Sequence, residues 1–148
     1  MLKDHKDEFE VSMDDTLLNV AWVVEQIKSA YWGGWRSEDL IRESLKNSLN
    51  FGLYWVPPEN AGWEGKITQV GFARVVTDST TFHWLCDVII REDLRRKGLG
   101  TMLVEKVLAY PDFKTGVMML GTKDAHSFYE KFGFAKSEQM KRIPPLTL

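Results

Sequence analysis

Residues 87–104, DVIIREDLRRKGLGTMLV, join a strand-forming run to a helix-forming run. The β-branched run 88–90 favours a strand. After the turn, Leu99 and Leu103 recur one helical turn apart and lie on the same face of a helix. The stretch therefore predicts a strand, a basic turn and a helix start, and the other elements are arranged around this unit.

The turn between this strand and this helix is suited to holding an anion. Backbone N–H groups at a helix start have no intrahelical partner and carry partial positive charge. Gly98 and Gly100 remove side chains that would keep a phosphate away from those groups. Three cationic side chains precede them, and these belong to Arg95, Arg96 and Lys97. We interpret the turn as a pyrophosphate site.

Two widespread phosphate loops do not fit this turn. Residues 98–103, GLGTML, match neither the dinucleotide fingerprint G-x-G-x-x-G nor the P-loop G-x-x-x-x-G-K-[ST]. They do complete the pattern R-x-x-G-x-G, which begins at Arg95 and directly follows an apolar strand. The turn therefore belongs to neither of these two types of phosphate loop.

A second block lies at residues 123–134, KDAHSFYEKFGF. Its apolar residues follow helical spacing, and Gly133 is placed to end the helix before a strand that begins at Phe134. The apolar residues in question are Ala125, Phe128, Tyr129 and Phe132. The two blocks, in this order, resemble the conserved blocks of the GNAT N-acetyltransferase superfamily.

Length and composition are those of one globular domain over residues 1–148. The chain is 44% hydrophobic and 27% charged, with a formal charge of −2 that disfavours an extended nucleic-acid surface. No apolar run approaches a membrane span, and no Cys/His cluster has the spacing of a metal site. The only cysteine, Cys86, cannot form an internal disulfide, so we expect a cytoplasmic protein.

The N-terminal part predicts one strand and two helices. Alternation over residues 9–13 predicts the strand, and Asp14 or Asp15 is expected to cap the first helix. Ser37 is expected to cap the second. The apolar positions that define the helices are Leu17, Val20, Val24 and Ile27 for the first, and Leu40, Ile41, Leu45 and Leu49 for the second.

The middle of the chain predicts a sheet. Strands over residues 51–56, 66–77 and 81–90 are separated by turns at residues 57–62 and 78–80, as in an antiparallel meander. A helix over residues 98–110 then leads to a short strand over residues 117–121, which is most simply parallel to the strand before it. The fold class is therefore α+β (α/β), with a mixed central sheet flanked by about four helices.

The GNAT resemblance implies a chemistry that spacing alone does not give. It implies that the parallel pair splays apart in a V and that acetyl-CoA, as acetyl donor, lies in the gap. The cofactor arm would pair with backbone groups of Val88, Ile89 and Ile90, and the pyrophosphate would rest on Arg95, Arg96, Lys97, Gly98, Leu99, Gly100 and Thr101. A primary amine would attack the thioester directly, without a metal, and Tyr129 would protonate the leaving thiolate.

The group that accepts the amine proton stays open. An alkylamine has a pKa of about 10, so a base is needed near neutral pH. Asp87 and His83 stand at alternate positions of the strand and would share a face if no bulge intervenes. Each is a candidate base, and each is equally compatible with a structural role.

The acceptor pocket is predicted from a cluster of aromatic residues. Tyr31, Trp32 and Trp35 stand in one glycine-containing loop, and Trp84 lies on the strand. They indicate a small hydrophobic or aromatic amine, held by cation–π attraction, rather than a protein, a nucleic acid or a membrane. An equally open interpretation is that these rings cover the core.

Two other functions remain open from the sequence. A non-catalytic acyl-CoA sensor would keep the phosphate turn but turn over no amine. A structural domain would use the aromatic loop as a protein interface and would bind no CoA. A homodimer is compatible with either and with an enzyme.

Overall fold

The computed structural model describes residues 8–57 and 67–145. Its elements in chain order are β1 (Phe9–Ser12), α1 (Val20–Ser29), α2 (Glu38–Lys46), β2 (Leu49–Trp55), β3 (Thr68–Thr77), β4 (Phe82–Ile90), α3 (Leu99–Leu108), β5 (Val117–Met119) and α4 (His126–Glu130). Short 3-10 turns cover Glu92–Leu94 and Pro111–Lys114. In the described ranges, no helix is long and apolar enough to span a membrane.

The five strands form one sheet in the order β1-β2-β3-β4-β5. The first four strands pair antiparallel with one another, whereas β4 and β5 run parallel. The predicted meander followed by a parallel pair is therefore confirmed. Except for Pro57, the predicted turn at residues 57–62 lies outside the described residues.

Apolar residues cover both faces of the sheet. On one face, α3 places Leu103 and Val107 against Phe51, Val75 and Leu85. On the other face, the core is formed by α1, α2 and residues of β3 and β4, namely Val23, Val24, Ile27, Ile41, Leu45, Phe72 and Ile89. Strands buried on both faces explain why β2 and β3 read as near-continuous apolar runs.

The helix starts match the prediction in one case and differ in another. The Ser37 hydroxyl accepts a hydrogen bond from the Leu40 N–H at 3.2 Å, as expected for the cap of α2. The expected cap of α1 is wrong, because Asp14 instead accepts from the Thr16 N–H in a preceding turn. Asn19 caps α1, with its side chain accepting from the Trp22 N–H.

Two other expectations are corrected. Leu49 begins β2 rather than extending the apolar face of α2. Gly133 follows α4 with φ of +90°, as expected, but no strand begins at Phe134. Residues 135–142, AKSEQMKR, contain too few apolar residues to bury one side of a strand, and Met140 is fully exposed.

Candidate active site

The parallel pair opens into a V along β4. Only Phe82, His83 and Trp84 of β4 pair with β5. From Leu85 onward, no strand of the described ranges lies along that edge of β4. The predicted splay is therefore present, and it leaves a backbone edge open beside the basic turn.

Hydrogen-bond alternation identifies which groups face the open edge. The Arg91 N–H donates to the Val70 carbonyl at 2.8 Å, so Arg91 faces β3. The Ile89 carbonyl also points to β3, because it lies 3.1 Å from the position that a Cβ of Gly71 would take. Since peptide groups alternate between the two edges, those of Val88 and Ile90 face the gap, whereas Ile89 does not. The Arg95 Nε already donates to the Ile90 carbonyl at 3.1 Å.

The turn after β4 ends in a helix start without a side-chain cap. Gly98 is the N-cap of α3 in the left-handed conformation, with φ of +80°, which glycine adopts without strain. The first helical bond runs from the Met102 N–H to the Gly98 carbonyl at 3.1 Å. The N–H groups of Leu99, Gly100 and Thr101 therefore precede the first intrahelical donor and are available to an anion.

The cationic side chains beside this helix start are exposed, as expected for a phosphate turn. They belong to Arg95, Arg96 and Lys97, and Arg96 adopts φ of +65°. A Cβ at Gly100 would lie 3.5 Å from the Phe128 ring, which is an ordinary packing distance, so the role predicted for Gly100 beside the pyrophosphate stays a prediction. Gly98 shapes the turn itself.

A bulge in β4 separates the two candidate bases. The pairing of β3 with β4 shifts between Phe72 and Arg74, and Asp87 has φ of +53°. One extra residue in β4 reverses the facing of the residues after it. The prediction that Asp87 and His83 share a face is therefore wrong.

Asp87 lies at the bulge on the α1/α2 face and is held by two arginines. The Arg36 guanidinium donates two bonds to its carboxylate, at 2.9 and 3.0 Å. The Arg74 Nε donates a third, at 2.8 Å. Burial raises the pKa of Asp87, but the two guanidinium groups outweigh it and hold the pKa below its ordinary value. The carboxylate of Asp87 is therefore held in its ionised form by two arginines, which makes it a poor acceptor for the proton of an amine.

His83 lies on the α3 face and is fully buried. One ring nitrogen is 2.6 Å from the Thr77 hydroxyl and the other is 2.7 Å from the Thr115 carbonyl. Its ring packs on Phe113, with centroids 4.8 Å apart. Both nitrogens are already hydrogen-bonded in the core, so His83 is not presented to the open edge of β4.

The aromatic loop after α1 crosses the mouth of the V. Arg36 ties one end of it to Asp87 of β4. At the other end, the Tyr31 hydroxyl lies 3.5 Å from the Asp124 carboxylate, beyond β5. Tyr31 and Trp35 are 70% and 78% exposed, so they do not cover the core.

The other two predicted acceptor residues are less exposed than Tyr31 and Trp35. Trp32 is half-buried against the α1/α2 core. Trp84 is 36% exposed, and its ring lies 3.6 Å from the position that a Cβ of Gly121 would take. Trp32 and Trp35 thus lie beside the Arg36–Asp87 pair, and the part of the four residues in acceptor binding stays a prediction.

Tyr129 lies on α4, half-buried between aromatic rings. Its ring centroid is 5.0 Å from that of Phe128 and 5.9 Å from that of Phe134. Burial raises the pKa of its hydroxyl to about 12, so it stays protonated at neutral pH. It lines a cavity of about 790 Å³ whose other walls are residues 117–122, 132–137, Leu108, His126, Glu130 and Gln139.

Two residues of the site were not predicted. Arg36 and Arg74 both bind Asp87, and neither was among the predicted site residues. Arg74 did carry a signal, because a lone charged residue interrupts the apolar run 70–76. A charge on a strand buried on both faces needs a partner, and that partner is Asp87.

Comparison with known proteins agrees with this geometry. A family model described as an acetyltransferase (GNAT) domain matches residues 52–136, more than half of the chain. The protein therefore belongs to the GNAT acetyltransferase family. The match begins within β2 and ends beyond α4, so it includes the open edge of β4 and the start of α3.

Individual relatives extend the likeness over most of the chain. A Gibberella zeae protein named as a candidate acetyltransferase is 28% identical over 142 residues, which cover 86% of this chain and 80% of that protein. A crystal structure of a candidate GNAT acetyltransferase from Xanthomonas campestris is 29% identical, with a TM-score of 0.79, covering 93% and 94% of the two chains. The Escherichia coli ribosomal-protein-S18-alanine N-acetyltransferase shares the fold, with 24% identity, a TM-score of 0.61 and coverage of 88% and 79%.

Proposed function

We propose that this protein transfers an acetyl group from acetyl-CoA to a primary amine, by direct attack within a ternary complex. One observation carries the proposal. The open edge of β4 is followed, after the basic turn, by a helix start that has free N–H groups and no side-chain cap. A strand edge can pair with an amide-containing arm, and the helix start can bind the pyrophosphate at its end.

The residues fit acetyl-CoA in two places. The N–H groups of Leu99, Gly100 and Thr101, with the exposed basic side chains of residues 95–97, would hold the pyrophosphate. The arm would pair with the peptide groups of Val88 and with the Ile90 N–H. Ile89 contributes its side chain to the core and not its backbone to the arm, because its carbonyl faces β3.

The reaction proposed here needs no acyl-enzyme. The amine lone pair attacks the thioester carbon, a C–N bond forms and the C–S bond breaks. The nitrogen releases one proton to solvent, and CoA leaves as a thiolate that takes up one proton. The Val88 N–H at the open edge is the group we propose for the oxyanion. Neither Asp87 nor His83 is proposed as the base, because one is held by two guanidinium groups and the other by two neutral hydrogen bonds.

Tyr129 remains the proposed proton donor to the thiolate. Its hydroxyl keeps its proton at neutral pH, which supports a donor rather than an acceptor. Tyr129→Phe is expected to lower kcat at least tenfold with little change in acetyl-CoA affinity, as measured by thiol release and calorimetry. An unchanged kcat would leave Tyr129 with a packing role only.

The test of the function begins with acetyl-CoA binding. Titration calorimetry is expected to give saturable binding, and Lys97→Glu is expected to weaken it at least tenfold by placing a carboxylate beside the pyrophosphate. Lys106→Glu is the matched control, because it reverses an exposed charge on the same helix but at the far end. Gly100 is a poor target, since a larger side chain there would meet Phe128.

The outcomes separate the proposed function from its alternatives. Binding followed by acetylation of an amine, detected as a gain of one acetyl mass, supports the enzyme. Binding without turnover of any amine favours an acyl-CoA sensor. No binding overturns the proposal and returns attention to the exposed aromatic loop as a protein interface.

We also propose a cytoplasmic location, since the only cysteine is a free thiol.

A further inference from the structure

The bulge of β4 carries an unbalanced positive charge. The side chains of Arg36 and Arg74 are 11% and 12% exposed, and the Asp87 side chain between them is 4% exposed. Two guanidinium groups and one carboxylate leave a net charge of about +1 in a poorly hydrated place. Within residues 8–57 and 67–145, Asp87 is the sole carboxylate within ion-pair distance of either arginine.

Other charged groups nearby do not balance this charge. On the neighbouring helix α2, Glu38 pairs with Arg42 at 3.5 Å, and both side chains are largely exposed. Asp124 is exposed and lies beside the Tyr31 hydroxyl. A partly buried cationic group without a counter-ion is costly, so this position favours an anion.

The arginines also have donors left over. Each guanidinium carries five N–H groups. Arg36 uses two of them on Asp87, and its Nε is buried with no hydrogen-bond partner. Arg74 uses one on Asp87 and one on the Ser48 hydroxyl. Planar guanidinium groups suit the oxygens of a carboxylate or a phosphate.

The aromatic rings of the loop already hold a cation. The Arg36 guanidinium lies 5.6 Å from the Trp32 ring centroid and 5.9 Å from that of Trp35. A substrate ammonium placed on these rings would lie close to a guanidinium of like charge. The cation–π role expected for these rings is thus taken by the protein itself.

We propose that the acceptor amine carries an anionic group, a carboxylate or a phosphate ester, that binds to Arg36 and Arg74. This rests on the proposed function and narrows its substrate class. An anion held there lies beside Asp87, the residue that precedes Val88 in the strand. The amine of the same molecule then needs only a short spacer to reach the open edge of β4.

Matched pairs of amines test the proposal. One pair is ethanolamine and O-phosphoethanolamine, and the other is 2-phenylethylamine and phenylalanine. Rates of thiol release are compared at equal concentrations of unprotonated amine. The anionic member of at least one pair is expected to have a kcat/KM at least tenfold higher, and the two pairs distinguish a phosphate from a carboxylate.

Variants show whether the preference comes from the bulge. Arg36→Gln is expected to lower kcat/KM for the anionic member at least tenfold, mainly through KM, and Arg36→Lys to lower it less. Arg42→Gln removes one exposed positive charge from the adjacent helix and is expected to change it less than twofold. Melting temperatures of all variants confirm that the assays report folded protein.

The outcomes distinguish this inference from the proposed function. A neutral amine that reacts as well as its anionic partner, or a preference that survives Arg36→Gln, overturns the inference. The inference is also overturned if the protein binds acetyl-CoA but no anionic amine reacts, and no anionic amine raises the melting temperature more than its neutral partner does. In those cases the acetyltransferase proposal stands, whereas loss of acetyl-CoA binding in the unmodified protein overturns both.

Discussion

His83 and Asp87 are two buried polar residues on one strand, and their surroundings differ. His83 faces the core beside α3, where a hydroxyl and a carbonyl hydrogen-bond its ring. Asp87 faces the loop between α1 and α2, where two guanidinium groups bind its carboxylate. A hydroxyl and a carbonyl can satisfy an imidazole ring, whereas a buried carboxylate needs opposite charge. The strand thus turns one polar residue toward the core beside α3 and the other toward the loop between α1 and α2.

The largest effect is expected from Asp87→Ala. It would leave Arg36 and Arg74 buried without their counter-ion and facing one another, which costs about 3–5 kcal/mol of unfolding free energy. Urea unfolding measures the loss. Asp93→Ala is the matched control, because Asp93 also binds an arginine, Arg91, but is exposed, and its loss should be much smaller. Equal losses would mean that burial of the Asp87 cluster contributes nothing.

A smaller effect is expected from His83→Phe. The new ring keeps the contact with Phe113 but removes both hydrogen bonds, and the Thr77 hydroxyl and Thr115 carbonyl lose their partner. Because Thr115 is exposed, water can replace one of the bonds, so we expect a loss of about 1–3 kcal/mol. Acetyl-CoA binding and kcat should be unchanged in the folded variant. A kcat reduced a hundredfold would restore His83 as a candidate base.

The shared-face error explains how much of this site the sequence could predict. The strand, turn and helix of residues 87–104 depend on local patterns, namely a β-branched run, glycines and apolar residues one turn apart, and they are confirmed. The bulge depends on how β3 pairs with β4, and the residue types around Asp87 do not predict it. One extra residue was enough to move Asp87 to the other face.

Contacts between residues that are far apart in the sequence could not be predicted for the same reason. Arg36 and Asp87 are 51 residues apart, and only the folded sheet brings the loop and the strand together. The neighbour of Gly100, Phe128, likewise comes from the second block and is brought close only by the fold. By contrast, Tyr31, Trp32 and Trp35 stand together in the sequence and lie in one loop of the structure, whereas their part in acceptor binding stays a prediction.

The smallest effect is expected for the pH dependence of the stability of Asp87→Asn. This substitution removes the charge of the carboxylate but keeps the shape of the side chain. The pKa of Asp87 is held below its ordinary 3.8 in the folded protein, so its carboxylate stabilises the fold above about pH 4. That contribution is lost as the pH falls through the folded-state pKa. The stability difference between the unmodified protein and Asp87→Asn should therefore be constant from pH 7 to pH 5 and shrink below pH 4.

At pH 3 the shrinkage should be no more than about 1 kcal/mol, because pH 3 is less than one unit below 3.8 and one unit corresponds to about 1.4 kcal/mol. Urea unfolding of both proteins at each pH measures it, and their difference cancels the titration of the other carboxyl groups. A difference that grows on acidification would mean that the pKa of Asp87 is raised, and that burial outweighs the two arginines. In that case Asp87 would again be a candidate base, and the bulge would lose its surplus of positive charge.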